Sequence, residues 1–223
     1  MSRGQTPQAV VFDLDGLMFN TEDLYQHAGT EILRRRGCAF EADLLDAMMG
    51  RPADVALRLM IDYHRLDCTI TELAAETDQI FALLIDERLD VMPGLLPLLD
   101  RLEAAGVPKA IATSSGRQFA RLVLGRFELA PRFKFVLTCE DVQHGKPDPE
   151  IYLLAAMRLE VDPSELLVLE DSQNGCRAAV AAGAVAVAVP AGHSRSHDFA
   201  GAGLVAENLA DPRILELLGL AGD

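Results

Sequence analysis

The first apolar run of the chain, Ala9 to Phe12, is short and continuous, and it stops at Asp13-Leu14-Asp15-Gly16. A run without polar alternation is buried on both faces, so it reads as a central parallel strand that delivers polar residues at its carboxyl end. From Glu22 to Leu89 the pattern changes to helical spacing. Glu22 to Arg36 is closed by Gly37, Pro52 to His64 follows, and Thr71 to Leu89 is opened by Thr71 as N-cap. Strand-like runs are missing there, which makes the segment a helical insertion of about seventy residues.

Beyond Met92-Pro93-Gly94 strands and helices alternate. Leu95, Leu98, Leu99 and Leu102 share one face of a helix that ends at Gly106, while Ala110 to Thr113, Phe135 to Thr138, Leu166 to Leu169 and Val185 to Val189 read as strands. Asp148-Pro149 and Asp162-Pro163-Ser164-Glu165 each look like an N-cap followed by proline at the first helical position, the second completed by a glutamate. Such alternation implies an α/β fold: a parallel sheet with helices on both faces, and ligands beyond the carboxyl ends of the strands. Four runs end there in polar residues, at Asp13 and Asp15, Thr113-Ser114-Ser115, Glu140-Asp141 and Glu170-Asp171.

Composition narrows the class. A chain of 223 residues holds one α/β domain with an insertion, or two small domains sharing a boundary. No apolar run approaches the roughly 18 to 20 residues that span a bilayer, and the polar start from Met1 to Gln8 lacks the apolar stretch of a secretory signal. A soluble, cytoplasmic protein is expected. Cys38, Cys68, Cys139 and Cys176 lie far apart with no metal-binding spacing, and buried free thiols are expected of them. The formal charge of −14 opposes nucleic-acid binding, so an anionic partner needs a local positive site.

The set Asp13-Leu14-Asp15-Gly16-Leu17, Thr113-Ser114-Ser115-Gly116, Gly145-Lys146-Pro147-Asp148-Pro149 and Leu169-Glu170-Asp171-Ser172-x-x-Gly175 resembles, in order and spacing, the four motifs of the haloacid dehalogenase-like hydrolase superfamily. The helical insertion resembles that superfamily's C1-type cap. The resemblance implies a Rossmann-like core from residues 1–20 and 91–223 and a helical cap domain from 21–90. It implies a Mg²⁺-dependent phosphatase acting on small phosphorylated metabolites such as sugar or nucleoside phosphates. No nucleic-acid or membrane partner is expected, and the chain is expected to be a monomer or weak homodimer.

The same resemblance assigns Asp13 as nucleophile and Asp15 as general acid and base. Thr113 and Ser114 would bind the phosphate, and Lys146 both the phosphate and the nucleophile. Magnesium would be held by Asp13, the backbone carbonyl of Asp15 and Asp171, with Glu170 touching the ion or standing just behind its ligands. The assignments make physical sense. Asp13 must approach a phosphomonoester as one anion approaching another, and a hard cation and a fixed ammonium offset the repulsion. Arg117, at the start of the following helix, is a further candidate for a phosphate or substrate contact. In the insertion, Gly50-Arg51-Pro52 matches the place where relatives put a substrate-facing loop, which makes Arg51 the expected cap contact. Met18 to Glu22 and Val91 to Gly94 are the expected crossings between core and cap, and His144 could line the mouth of the site.

Met92-Pro93-Gly94 and the second and third motifs are similar to those of pseudouridine 5′-phosphatases, and the chain also resembles β-phosphoglucomutases. From the mutase pattern it departs at Asn20, where an aspartate is usual, at Leu24 and Tyr25, where a histidine is expected, and at Gly116, where a lysine is expected. Hydrolysis is therefore favoured over isomerisation. Asp15 opposes a dehalogenase, whose relatives lack that second aspartate, and the intact motif set opposes a catalytically silent binding module.

Overall fold

The structure, a computed structural model, describes residues 6–48 and 53–220. Six parallel strands form one sheet in the order β3-β2-β1-β4-β5-β6: β1 (Ala9–Phe12), β2 (Lys109–Ala112), β3 (Val136–Leu137), β4 (Leu166–Glu170), β5 (Val185–Ala188) and β6 (Leu204–Val205). β1 lies in the middle, with Val11 opposite Ala110 on one side and Val168 on the other. Every residue of β1 and β4 is buried, as unbroken apolar runs require.

One face of the sheet is covered by α7 (Glu150–Leu159) and α8 (Gln173–Ala181). Here Ala9, Ala110, Ala112 and Ala186 meet Ala155, Ala156, Ala178 and Ala179, and such small residues let helix and sheet approach closely. The alternate residues Val10, Phe12, Ile111, Leu167, Leu169 and Val187 are fully buried too, so the opposite face is also covered. α5 (Leu95–Ala104) and α6 (Arg117–Arg126) carry buried stripes, including Leu95, Leu98, Leu99 and Leu102 on α5. Gly94, which opens α5, has φ +89°, and a Cβ there would come within 2.3 Å of the Ala210 backbone nitrogen, so glycine is required twice over. The short helix α9 (Pro212–Leu217) closes the chain order.

The inserted helices are α1 (Thr21–Arg35), α2 (Ala42–Met48), α3 (Ala53–His64) and α4 (Ile70–Arg88). They bury Ala28, Ile32, Leu33, Leu44, Met60, Leu73 and Ile80 in a core of their own. Thr21–Leu89 is one compact unit, and the stretches up to Asn20 and from Asp90 form the other. Within the latter the outgoing and returning chains pair: Met92 N donates to Met18 O at 2.9 Å, and Asn20 Oδ1 accepts from Asp90 N at 2.9 Å.

Four local expectations need correction. α4 starts at Ile70, because Thr69 and Glu72, not Thr71, form the reciprocal cap: Thr69 Oγ1 accepts from Glu72 N at 3.2 Å and Glu72 Oε2 from Thr69 N at 2.8 Å. Pro149 occupies the cap position of α7, with Asp148 accepting from Glu150 N at 3.0 Å. The Asp162 to Glu165 box is real but closes a single 3₁₀ turn, Pro163–Glu165, that feeds straight into β4. Of the cysteines, all free, Cys176 alone is buried, Cys38 and Cys68 are half-buried and Cys139 is exposed. Among the described residues no helix is long and apolar enough to cross a membrane.

Candidate active site

The ladder carries Asp13 one step past β1, since its N–H donates to Leu169 O at 3.0 Å. The chain then turns sharply. Gly16 adopts φ +73° and its N–H donates to Phe19 O, which folds Asp15 back over the carboxyl end of the sheet. From β2, Thr113 continues the ladder by donating to Leu137 O, and Ser115 follows it two residues on. Asp15 Oδ2 accepts from both hydroxyls, from Ser115 Oγ at 2.6 Å and Thr113 Oγ1 at 3.2 Å.

Lys146 enters from the loop before α7. Glu150 holds that loop by accepting from Gln143 N and His144 N, each at 2.9 Å, and by pairing with His144 Nδ1 at 3.0 Å. The buried Lys146 ammonium donates to Asp13 Oδ1 at 2.5 Å, Glu170 Oε1 at 2.6 Å and Ala112 O at 2.9 Å. Glu170, at the end of β4 and fully buried, also accepts from Tyr152 Oη at 2.6 Å through Oε1 and from Ser172 Oγ at 2.9 Å through Oε2. Ser172 in turn caps α8 by accepting from Gly175 N at 3.1 Å. A Cβ on Gly175 would lie 1.7 Å from Glu170 Oε1, so the helix can start here only if residue 175 has no side chain.

Carboxylate oxygens of Asp13, Glu170 and Asp171, all buried, lie within 4.8 Å of one another. With Asp15 they crowd one end of the sheet against the Lys146 ammonium. Burial pushes the Asp13 carboxyl up to about 8, Lys146 pulls it back, and Glu170 and Asp15 push it further up. Burial disfavours the charged form of Lys146, but Asp13 and Glu170 outweigh it and hold the ammonium well above its ordinary value. An all-oxygen, buried and over-negative cluster is the donor set that suits a hard divalent cation.

The residues expected from the sequence are not all equally placed. Asp13, Asp15, Thr113, Lys146, Glu170 and Asp171 come together through the contacts above. Ser114 is exposed. Arg117 turns to the acidic pair beside it, with Nε 3.2 Å from Glu140 Oε2 and Nη2 3.1 Å from Asp141 Oδ1. Arg51 lies outside the described residues. Two contacts carried no assignment in the sequence. The period of two from Thr113 puts Ser115 on the same side, a signal that was available. Tyr152 carries none, because an aromatic in the first turn of a helix reads simply as core.

A central strand that ends in two aspartates, an ammonium from a loop and an acidic pair at the neighbouring strand's end form, at the carboxyl end of a parallel sheet, a site suited to an anionic group. The haloacid dehalogenase-like hydrolase family model matches residues 10–189, and the chain belongs to that family. A protein named "Probable pseudouridine-5′-phosphatase" from Drosophila melanogaster is 36% identical over 186 residues, covering 81% of this chain and 80% of its own. A phosphorylated carbohydrates phosphatase from Thermotoga maritima is 32% identical over 79% of this chain and 82% of its own. Among solved structures, a HAD family hydrolase from Deinococcus radiodurans R1 with bound phosphate and sodium superposes with TM-score 0.81 at 27% identity, covering 97% of this chain and 98% of that one. Within the family, and with relatives that are phosphatases, the chain is an enzyme, a phosphoric monoester hydrolase.

Proposed function

We propose that the chain hydrolyses small phosphate monoesters, sugar or nucleoside phosphates, through an aspartyl-phosphate on Asp13, with Mg²⁺ as cofactor. The observation that carries this reading is the buried Asp13–Lys146–Glu170 chain of charged contacts, with Asp171 beside it. Asp13, Asp171 and the backbone carbonyl of Asp15 are the groups that would hold Mg²⁺, which when bound would offset the charge of the phosphoryl oxygens.

In the first half-reaction an Asp13 oxygen forms a bond to phosphorus as the ester P–O bond breaks, and Asp15 gives a proton to the departing alkoxide. In the second, Asp15 takes a proton from the water that attacks the aspartyl-phosphate, which restores Asp13 and releases inorganic phosphate. Asp15 accepts both hydroxyl bonds through one oxygen, Oδ2, so its other oxygen is the one that would carry the proton passed to the alkoxide. Thr113 and Ser115 are then donors that substrate oxygens would engage. Lys146 stabilises charge on Asp13 and on the transferring group, whose reaction depends chiefly on positioning and electrostatics. The inserted helical unit is read as the source of substrate selectivity, with Arg51 as its contact. Purified protein screened with Mg²⁺ against sugar, nucleotide and polyol phosphates should release phosphate from a subset. Absence of release across the panel and from p-nitrophenyl phosphate would remove the reading.

A further inference from the structure

Tyr152 takes no part in the chemistry above, yet it touches both charged groups that flank it. It lies in the first turn of α7, fully buried; its hydroxyl donates to Glu170 Oε1 at 2.6 Å and Lys146 Nζ stands 5.1 Å from its ring centroid. A phenylalanine would fill the same volume between helix and sheet, and a buried hydroxyl is unfavourable unless it is bonded. Glu170 is what accounts for the hydroxyl.

An ammonium has three N–H donors, and those of Lys146 face Asp13 Oδ1, Ala112 O and Glu170 Oε1. To reach a phosphoryl oxygen the ammonium must loosen one of these bonds. Ala112 O is fixed in the backbone, and Asp13 is the group whose charge Lys146 has to stabilise. Glu170 Oε1 differs from both, because a second donor already sits on the same oxygen. We infer that Tyr152 is a positioning residue: its hydroxyl keeps Glu170 Oε1 bonded while a Lys146 N–H turns to phosphate, and its ring face supports the ammonium as it turns. The inference rests on the phosphatase reading, since it needs phosphate to be the anion that Lys146 meets.

Without the hydroxyl, Lys146 would be, among the described residues, the donor left on Oε1 of a fully buried carboxylate, and phosphate would have to compete for it. Isothermal titration calorimetry of the full chain with inorganic phosphate, Mg²⁺ present throughout, separates the effects. In Tyr152→Phe the Kd for phosphate should weaken by about tenfold or more, the effect of losing a hydrogen bond to a charged group, with one site per chain retained. KM for p-nitrophenyl phosphate should rise by more than kcat falls. A role in packing alone would lower the number of titrated sites and the Tm but leave Kd near that of the wild type. That result, or a Kd within twofold, overturns the inference, and so does failure of Tyr152→Phe to fold, which would make the hydroxyl part of the fold's stability. Lack of phosphomonoester hydrolysis by the unaltered protein would count instead against the proposed function.

Discussion

Asp13 and Asp15 are two residues apart, and their surroundings differ in the way their proposed roles require. Asp13 is buried against the Lys146 ammonium, whereas Asp15 is held by the hydroxyls of Thr113 and Ser115. Asp13→Asn should fold normally and lose turnover, because an amide oxygen forms no stable acyl-phosphate; near-wild-type kcat from a verified, folded variant would remove Asp13 as nucleophile. Asp15→Asn keeps an acceptor for the two hydroxyls but has no proton to give. It should cost on the order of 10² to 10⁴ in rate with a poor alkoxide leaving group, and much less with p-nitrophenyl phosphate, whose leaving group needs no proton. Equal losses on both substrates would mean that Asp15 acts otherwise. At this scale the sequence was informative wherever a motif fixed identity and place together, at a strand end as at Asp13 or in a loop as at Lys146. It was silent on Tyr152, whose role depends on two partners brought together only by folding.

Elements were legible in proportion to the length of their pattern. β1 is an unbroken apolar run and β4 is one up to its last residue, Glu170, and both were expected within a residue of where they lie. β6 is two residues between Gly203 and Ala206, too short to carry a period, and it exists because β5 offers an open edge. α4 was legible but misplaced, since the Thr69-x-x-Glu72 signature stood two residues before the threonine chosen. Between α5 and β2 lies a test of electrostatics within the fold. Lys109 opens β2 with a nearly buried side chain, its Nζ 2.8 Å from Glu103 Oε1, and Arg132 Nε bonds the same oxygen at 2.8 Å. Hydrogen bonds from Arg132 and Lys109 pull the Glu103 carboxyl from 4.5 to about 2. The folded value lies below the unfolded one, so the contribution is complete above about 4.5 and is lost as the pH falls through about 2. Glu103→Gln should therefore lower stability at pH 7, by on the order of 1 kcal/mol because the carboxylate is partly exposed and screened. Urea unfolding of both proteins should show the gap narrowing from pH 4.5 towards pH 2; a gap independent of pH would mean that packing, not charge, is lost.

Taken whole, the molecule carries a formal charge of −14 and gathers several of its carboxylates at one end of a sheet. The proposed cation site predicts that chelation abolishes turnover and that Mg²⁺ both restores it and raises the Tm of the protein. Ca²⁺ should raise the Tm without supporting turnover, because it accepts six to eight oxygens and can hold a carboxylate from both sides, taking Asp13 out of line. Full activity after exhaustive chelation would contradict the site. A hydrolase and a phosphomutase on this fold differ in the nucleophile that completes the reaction. A phosphomutase must retain a bisphosphorylated intermediate, turn it over, and let a sugar hydroxyl rather than water attack the aspartyl-phosphate. That demands fixed polar contacts around the sugar. Here Asn20 spends its side-chain oxygen on Asp90 N, Gly116 offers no side chain at the start of α6, and Tyr25 stacks its ring on Phe81 with centroids 3.9 Å apart. These three positions therefore lack the groups that the mutase pattern places there, and water should win the second step. Incubation with β-glucose 1-phosphate and a catalytic amount of glucose 1,6-bisphosphate decides between the two. Free phosphate should appear at least as fast as glucose 6-phosphate, whereas glucose 6-phosphate accumulating well ahead of phosphate would make the chain a mutase.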